Sequence, residues 1–345
     1  MSLGRRRQRL IDSATAKDIN RLLSWDCWRG EALERLAQRG EEAAHDDPPN
    51  GYALAMRCLA FLGARINDDD MHARALTAAG VAARRLGRAG EAGQLYERAL
   101  PLARGPRTKA RLWLAIAGLA ICEQRYETAF LAVDRGARAG AGMPEIETLV
   151  LIMRGAALLE LGRSNEDREA LQKAADCFAT AASMAEGGSV EQVSALVNLA
   201  STLEAYGSGA HLRRFKPVLE QVRALVRTSR AKGVKRAAAF ADWIEGRLAL
   251  RLGSTREGIR RLRKAGQAFA RAGFYGDALQ VAADVVERGA EHGAEDEAFD
   301  AGTAVAVLIP RDSRFRPALE IFDAFDVSSD PNEWAASVRI RIAAG

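Results

Sequence analysis

The chain has 345 residues, with 50 Lys and Arg against 45 Asp and Glu, a formal charge of +5, and 48% hydrophobic residues. This composition is too apolar for a disordered chain and too charged for a membrane protein, and the length suffices for two average domains or one long repeat array. The longest clear apolar run, Leu112–Cys122, is closed by Arg111 and Glu123 and falls short of the roughly 20 residues of a membrane span. Arg5, Arg6, Arg7 and Arg9 lead only into Leu10-Ile11-Asp12, so no signal-peptide apolar region develops and a cytoplasmic protein is expected. Lysine is scarce beside arginine, alanine and glycine, the mark of a GC-rich coding sequence, which points to a bacterial source.

Apolar residues recur at three- and four-residue spacing almost everywhere, and strand-like alternation is nearly absent, so the period predicts helix throughout. A helix over Ser13–Arg39 with Trp25 and Trp28, and another over Tyr52–Ile66, form an N-terminal helical cap within residues 1–70. Along the chain a unit repeats: a helix of about 16 to 20 residues, a short break, then a second amphipathic helix. Breaks at Gly40, Gly87, Gln124, Gly162, Gly207, Gly253 and Gly293 give seven hairpins. Glycine suits a corner because the residue past a helix often turns left-handed, where a Cβ is penalised. Seven positions before a corner stand Gly80, Ala117, Gly155, Ala200 and Gly246, small enough for the following helix to pack closely. Prolines, Pro217 among them, are expected at helix borders or in first turns. Residues 310–345 add two short capping helices, the second starting at Asp330-Pro331.

The run Leu76, Gly80, Gly87, Ala92, Tyr96, Ala99 and Pro101, followed by Trp113, Ala117, Tyr126, Ala129 and Val133, resembles the tetratricopeptide repeat family. Weaker copies follow at Gly155, Leu158 and Gly162, and at Asp242, Gly246, Gly253 and Leu262, so the resemblance spans Met71–Ile309. It implies an all-α, right-handed α-solenoid of about seven helix-turn-helix hairpins with C-terminal capping helices. Most units exceed the family's usual length of about 34 residues, Gln124 replaces a corner glycine, and Val190–Arg230 keeps little of the consensus.

The resemblance also implies an inner groove lined by first helices. Its positions here are Arg74, Thr77, Val81 and Arg85; Arg111, Leu114 and Ile121; Ile152 and Leu159; Ser201 and Glu204; then Trp243 and Arg247. Leu114, Ile121, Ile152 and Leu159 would form an adhesive apolar patch if open to water, and core if curvature buries them. The lysine and asparagine clamp by which family members hold a terminal carboxylate is absent, because those positions hold residues such as Thr77, Val81 and Leu114.

No nucleotide-binding, zinc-protease or hydrolase motif occurs, and His45, His72, His211 and His292 lie in different units, so no catalytic residue, cofactor or metal is expected. Cys27, Cys58, Cys122 and Cys177 form no C-x-x-C pair and read as small core residues, while Asp68-Asp69-Asp70 reads as a solvated connector favouring the next helix N-terminus. The sharpest surface feature is electrostatic. Between His211 and Lys264 stand 16 basic and 4 acidic residues, leaving the remainder of the chain net negative. Lys216, Arg223, Arg227 and Arg230 form one stripe opposite Leu219, Val222 and Val226; Arg256, Arg260, Arg263 and Lys264 form a second opposite Ile259, Leu262 and Phe269. Both fall on second helices, which the resemblance places on the convex side, so the stripes are placed to merge into one basic patch.

These readings predict a non-enzymatic scaffold or adaptor holding a protein or peptide partner, one that is acidic or carries an amphipathic helix, in the groove, on the basic surface, or both. A regulator that senses a peptide or small ligand is the alternative. Nucleic acid is a further candidate for the stripes, weakened because no aromatics interleave them to stack on bases.

Overall fold

The computed structural model describes residues 29–65, 68–207, 209–228, 233–311, 315–324 and 330–344. Trp25, Cys27, Trp28 and Arg230 lie outside the described residues, as does the first part of the Ser13–Arg39 helix. Among the described residues the structure is helical with no strand. In chain order the helices are α1 (Arg29–Asp46), α2 (Pro48–Arg65), α3 (Asp69–Arg85), α4 (Ala89–Ala99), α5 (Pro106–Cys122) and α6 (Tyr126–Ala139). There follow α7 (Pro144–Ser164), α8 (Arg168–Met184), α9 (Val190–Tyr206), α10 (Gly209–Thr228), α11 (Gly233–Arg251) and α12 (Thr255–Arg271). The last four are α13 (Tyr275–Glu291), α14 (Glu295–Ala306), α15 (Arg316–Asp323) and α16 (Pro331–Ala344). Successive pairs from α1 to α14 are the seven expected hairpins, and α15 and α16 are the two C-terminal helices.

Four corners fall where glycine marks them: Gly87, Gly207, Gly253 and Gly293 all have φ between 68° and 78°. Gln124 turns left-handed at φ 57° without being glycine, so the corner forms there at some strain. Two expected corners are corrected. Gly40 lies inside α1, where its Cα faces Ala55 of α2, and the chain turns instead at Asp47. Gly162 lies inside α7, where a Cβ would come within 2.9 Å of Leu171; the corner is Glu166, at φ 53°. Both glycines permit close helix approach, a second use of a missing side chain that sequence does not separate from a turn. Pro217 is likewise interior to α10 and solvent-exposed, whereas Pro48, Pro106, Pro144, Pro317 and Pro331 do open helices.

The helices form two compact units. The first comprises α1–α5 with residues 131–141; the second comprises residues 124–130 with α7–α16. In the first unit α3 packs on its partner α4 and on the flanking α1, α2 and α5. In the second, α9 packs on α8 and α10 and along α7 and α11, and α13 packs on α12, α14 and α16. Each hairpin buries its apolar faces against its neighbours, and the repeat leaves a signature in sequence separation. Tyr52 donates to Glu91 39 residues on, Arg163 to Ser201 38 residues on, and Trp243 to Asp284 41 residues on.

Within a hairpin, the small residue midway along the first helix receives a large one from the second. A Cβ on Gly80 would lie 2.4 Å from the Tyr96 ring; on Gly155, 2.9 Å from Phe178; on Gly246, 2.8 Å from Leu262 and 3.0 Å from its backbone nitrogen. Tyr96, Phe178 and Leu262 are each at most 2% exposed, a burial contributing about 1.5–3 kcal/mol for a large apolar side chain. Hairpin ends are fixed by polar caps. Asp68 accepts from the Met71 N–H, Asp167 from Glu169 and Ala170, and Ser189 from Gln192. Asp70 is more than a solvated connector: it accepts from the backbone N–H groups of Arg104 and Gly105 and from Thr108 Oγ1, clasping the start of α5. Burial alone would raise its carboxyl, but these donors and Arg74 hold it below the usual range.

At the C-terminus, Trp334 of α16 is 6% exposed, meets Phe322 edge-on at 4.7 Å and donates to the Ile321 carbonyl, closing the core over α13 and α15. Of the described cysteines, Cys58 is buried, which pushes its thiol up to about 12, and Cys177 is partly covered. Cys122 departs from the core expectation, being exposed beside Arg84. Replacing Gly80 by Ala is expected to lower stability by about 1–3 kcal/mol through the clash with Tyr96. Gly90→Ala, where no atom lies within 4 Å of the new Cβ, should leave it unchanged or up to about 1 kcal/mol higher, as urea denaturation would show.

Candidate functional site

The first helices present a polar face in both units. In the first, Arg74 spans two acids of α1: its Nε lies 2.7 Å from Glu41 and its Nη1 2.7 Å from Glu34. Burial alone would lower the Arg74 guanidinium, and the two carboxylates raise it instead. Arg111 of α5 reaches the same Glu41 at 3.2 Å, and Arg85 Nη2 lies 3.2 Å from His45 Nδ1. The groove-position arginines here are thus internally paired. Thr77 bonds back to the Ala73 carbonyl, and Val81 and Leu114 are buried while Ile121 is partly covered.

In the second unit the apolar groove positions Ile152 and Leu159 lie in the core, at 8% and 3% exposure. What lines this face instead is a chain of ionised side chains from α7, α9, α11 and α13. Arg163 donates to Ser201 Oγ at 2.6 Å and to Glu160 at 3.0 Å; burial lowers its guanidinium from the ordinary arginine value. Arg251 Nη2 lies 3.1 Å from Glu204 Oε1, and Arg251 Nη1 also donates to the Glu204 carbonyl oxygen. Arg247 stands between two carboxylates, its Nε 3.1 Å from Asp284 Oδ2 and its Nη1 3.8 Å from Glu204 Oε2. Asp284 also accepts from the Trp243 indole at 2.8 Å and from Arg288 Nε at 3.0 Å. Arg339 of α16 makes a two-pronged pair with Glu287 and lies 3.8 Å from Asp284.

Two carboxylates are nearly sealed from water: Glu204 is 2% and Asp284 3% exposed. Burying a charge is costly unless it is paired, and here each is enclosed by guanidinium groups. For Asp284, burial would raise the carboxyl, but Arg247, Arg288 and the indole N–H outweigh it and hold it below the ordinary range. The ring of Trp243 lies beside Phe240, 5.6 Å away and nearly parallel, and meets Phe269 edge-on. Arg251 and Arg339 keep about a third of their side chains in solvent.

The basic stripes meet on the other side of the second unit. Helices α12 and α14 pack more closely on one another than α10 and α12 do, and a cavity of about 410 Å³ lies between α10, α11 and α12. Arg223 and Arg227 come from α10, Arg260, Arg261 and Lys264 from α12, and Asp242 from α11. Arg223 and Arg261 both bond Glu245, Lys264 lies 2.9 Å from Asp242, and Arg260 forks onto Glu257 with both bonds 2.7 Å. Hydrogen bonds from Arg260 and Arg261 hold Glu257 down at about 2. Lys216, Arg256 and Arg263 are exposed on the same two helices, outside the cavity.

Sequence reasoning placed Glu204, Trp243, Arg247, Arg223, Arg227, Arg260 and Lys264, but not Arg163, Arg251, Asp284, Arg288, Arg339 or Arg261. Asp284 stands one repeat beyond Trp243 and was legible had the groove register been carried into α13. Arg261 sits between the expected stripe positions Arg260 and Arg263 on α12, and only the placement of α10 beside α11 makes it part of a cavity wall. No group of three His, Cys, Asp or Glu residues able to hold a metal occurs among the described residues, and no helix of theirs is long and apolar enough to cross a membrane.

No protein-family model matches the chain, and no curated protein matches it. Among solved structures it resembles a Rap protein in complex with competence and sporulation factor, with a TM-score of 0.57 and 11% identity, covering 90% of this chain and 87% of that one. The chain therefore has the all-α helical-repeat fold of that protein, a solenoid of TPR-like hairpins.

Asp284→Asn is expected to cost about 3–5 kcal/mol at neutral pH, because Arg247 and Arg288 lose a buried counter-charge. The native carboxyl is depressed, so its stabilisation is full above the ordinary carboxylate pKa of about 4 and is lost as pH falls through the lower folded value. Urea denaturation at several pH values should show that acid-side slope reduced in the variant.

Proposed function

We propose that this chain is a non-enzymatic helical-repeat regulator or adaptor that binds a protein or peptide on the first-helix face of its second unit. The carrying observation is the file of charged side chains from Arg163 to Arg288, in which buried Glu204 and Asp284 hold arginines in place from beneath. Guanidinium groups fixed in this way lose little entropy when they meet a carboxylate or backbone carbonyl, so a ligand gains affinity from a face already organised. Trp243, partly exposed among them, has the amphipathic character common in binding hot spots.

With Ile152 and Leu159 in the core, recognition on this reading is polar, and the partner segment is extended or carboxylate-bearing rather than an apolar-striped helix. A regulatory role is supported by the likeness to a Rap protein crystallised with a factor. In a stacked array each hairpin touches mainly its neighbours, so a ligand spanning α9, α11 and α13 couples their relative rotation.

Capture from the source organism with the purified chain, repeated with Arg251→Glu and with Trp243→Ala, is the test. Both variants should stay helical by circular dichroism and lose the captured partner, with affinity falling at least about tenfold. Undiminished capture by both folded variants would discard this face as the binding site.

A further inference from the structure

The cavity between α10, α11 and α12 is independent of the first-helix face, and its charge and covering favour one kind of occupant. Arg223, Arg227, Arg260, Arg261 and Lys264 bring five positive charges to it. Asp242, which lines the cavity, and Glu245 and Glu257, which pair its arginines, return three negative charges. Two positive charges remain. Arg227 is exposed and makes no hydrogen bond or ion pair to any described residue, so all five of its N–H donors are unspent within them. Arg260 is engaged through Nε and Nη2 only, and Arg223 through Nη2.

The apolar wall offers little. Val222 is 0% and Ala241 2% exposed, and the partly exposed apolar lining is confined to Val226 and Ala238, so an amphipathic helix laid in the cavity would cover little further apolar surface. No aromatic ring lines it, which removes the stacking platform that single-stranded nucleic acid uses. What remains is ionic hydrogen bonding from forked guanidinium groups, which match phosphate oxygens in geometry and are strongest against a multiply charged anion. The volume, about 410 Å³, falls within the range of small-ligand sites and exceeds what one phosphate group fills. Asp242 and Glu245 act beneath the surface by fixing Arg223, Arg261 and Lys264 in position.

We infer that this cavity binds a small phosphate-bearing ligand with at least two negative charges, held by Arg227, Arg260, Arg223 and Lys264. Binding brings the local charge near zero and ties α10 to α12 across the cavity.

Isothermal titration of the full chain with sodium pyrophosphate, at constant ionic strength near 0.15 M, tests this. Saturable binding at one site is expected, and weaker binding for inorganic phosphate and for sulfate at equal concentration. Arg227→Gln with Arg260→Gln, both on exposed side chains, should weaken it at least about tenfold while circular dichroism stays unchanged. Arg251→Glu, on the opposite face, should not alter it. The inference is overturned by no saturable binding at millimolar pyrophosphate, by binding that the double variant leaves intact, or by loss on Arg251→Glu alone. It is equally overturned if duplex DNA or polyglutamate binds with this same arginine dependence and pyrophosphate does not.

Discussion

The structure depends on how closely two helices of a hairpin approach. Gly80, Gly155 and Gly246 leave no side chain where Tyr96, Phe178 and Leu262 enter, so the second helix settles onto the backbone of the first. A neighbouring hairpin then finds a surface of nearly constant shape, and α9, for example, packs on its own partner and on α7 and α11 together. With that spacing set, residues one repeat apart come within hydrogen-bond reach, as Arg163 does with Ser201 and Trp243 with Asp284.

Two kinds of electrostatic surface follow from this regularity. On the first-helix side of the second unit, acids and arginines of successive repeats alternate in space, and the most enclosed members, Glu204 and Asp284, are the acids. A carboxylate sealed among guanidiniums sets their directions, so the face is stiff as well as charged. On the second-helix side the regularity lapses. Helices α10 and α12 pack less closely than α12 and α14 do, and two basic stripes gather around the hollow between them. One surface is ordered by buried counter-ions; the other comes from a looser helix contact.

Much of the fold was legible because hydrophobic period and corner chemistry are local. The seven hairpins, the proline starts of α5, α7 and α16, and the left-handed corners at Gly87, Gly207, Gly253 and Gly293 all follow from neighbours within a few residues. Gly40 and Gly162 were misread because a helix interior that must admit a neighbour and a turn that must go left-handed both select glycine. The site was legible in part. Carrying the groove register one repeat further would have reached Asp284, but Arg339 arrives from a C-terminal helix outside the repeat, and no spacing rule leads to it.

The sequence by itself determined the helices, their pairing, and which side chains share a face, since each depends on a 3.6-residue period and on short corners. Tertiary structure alone decided which of those faces meet water. Ile152 and Leu159 were expected at groove positions yet end in the core, while Arg223 and Arg260, on different hairpins, end around one cavity. Burial and charge pairing are set by the distance between helices one repeat apart, a quantity that accumulates from packing at every hairpin and is written at no single position in the chain.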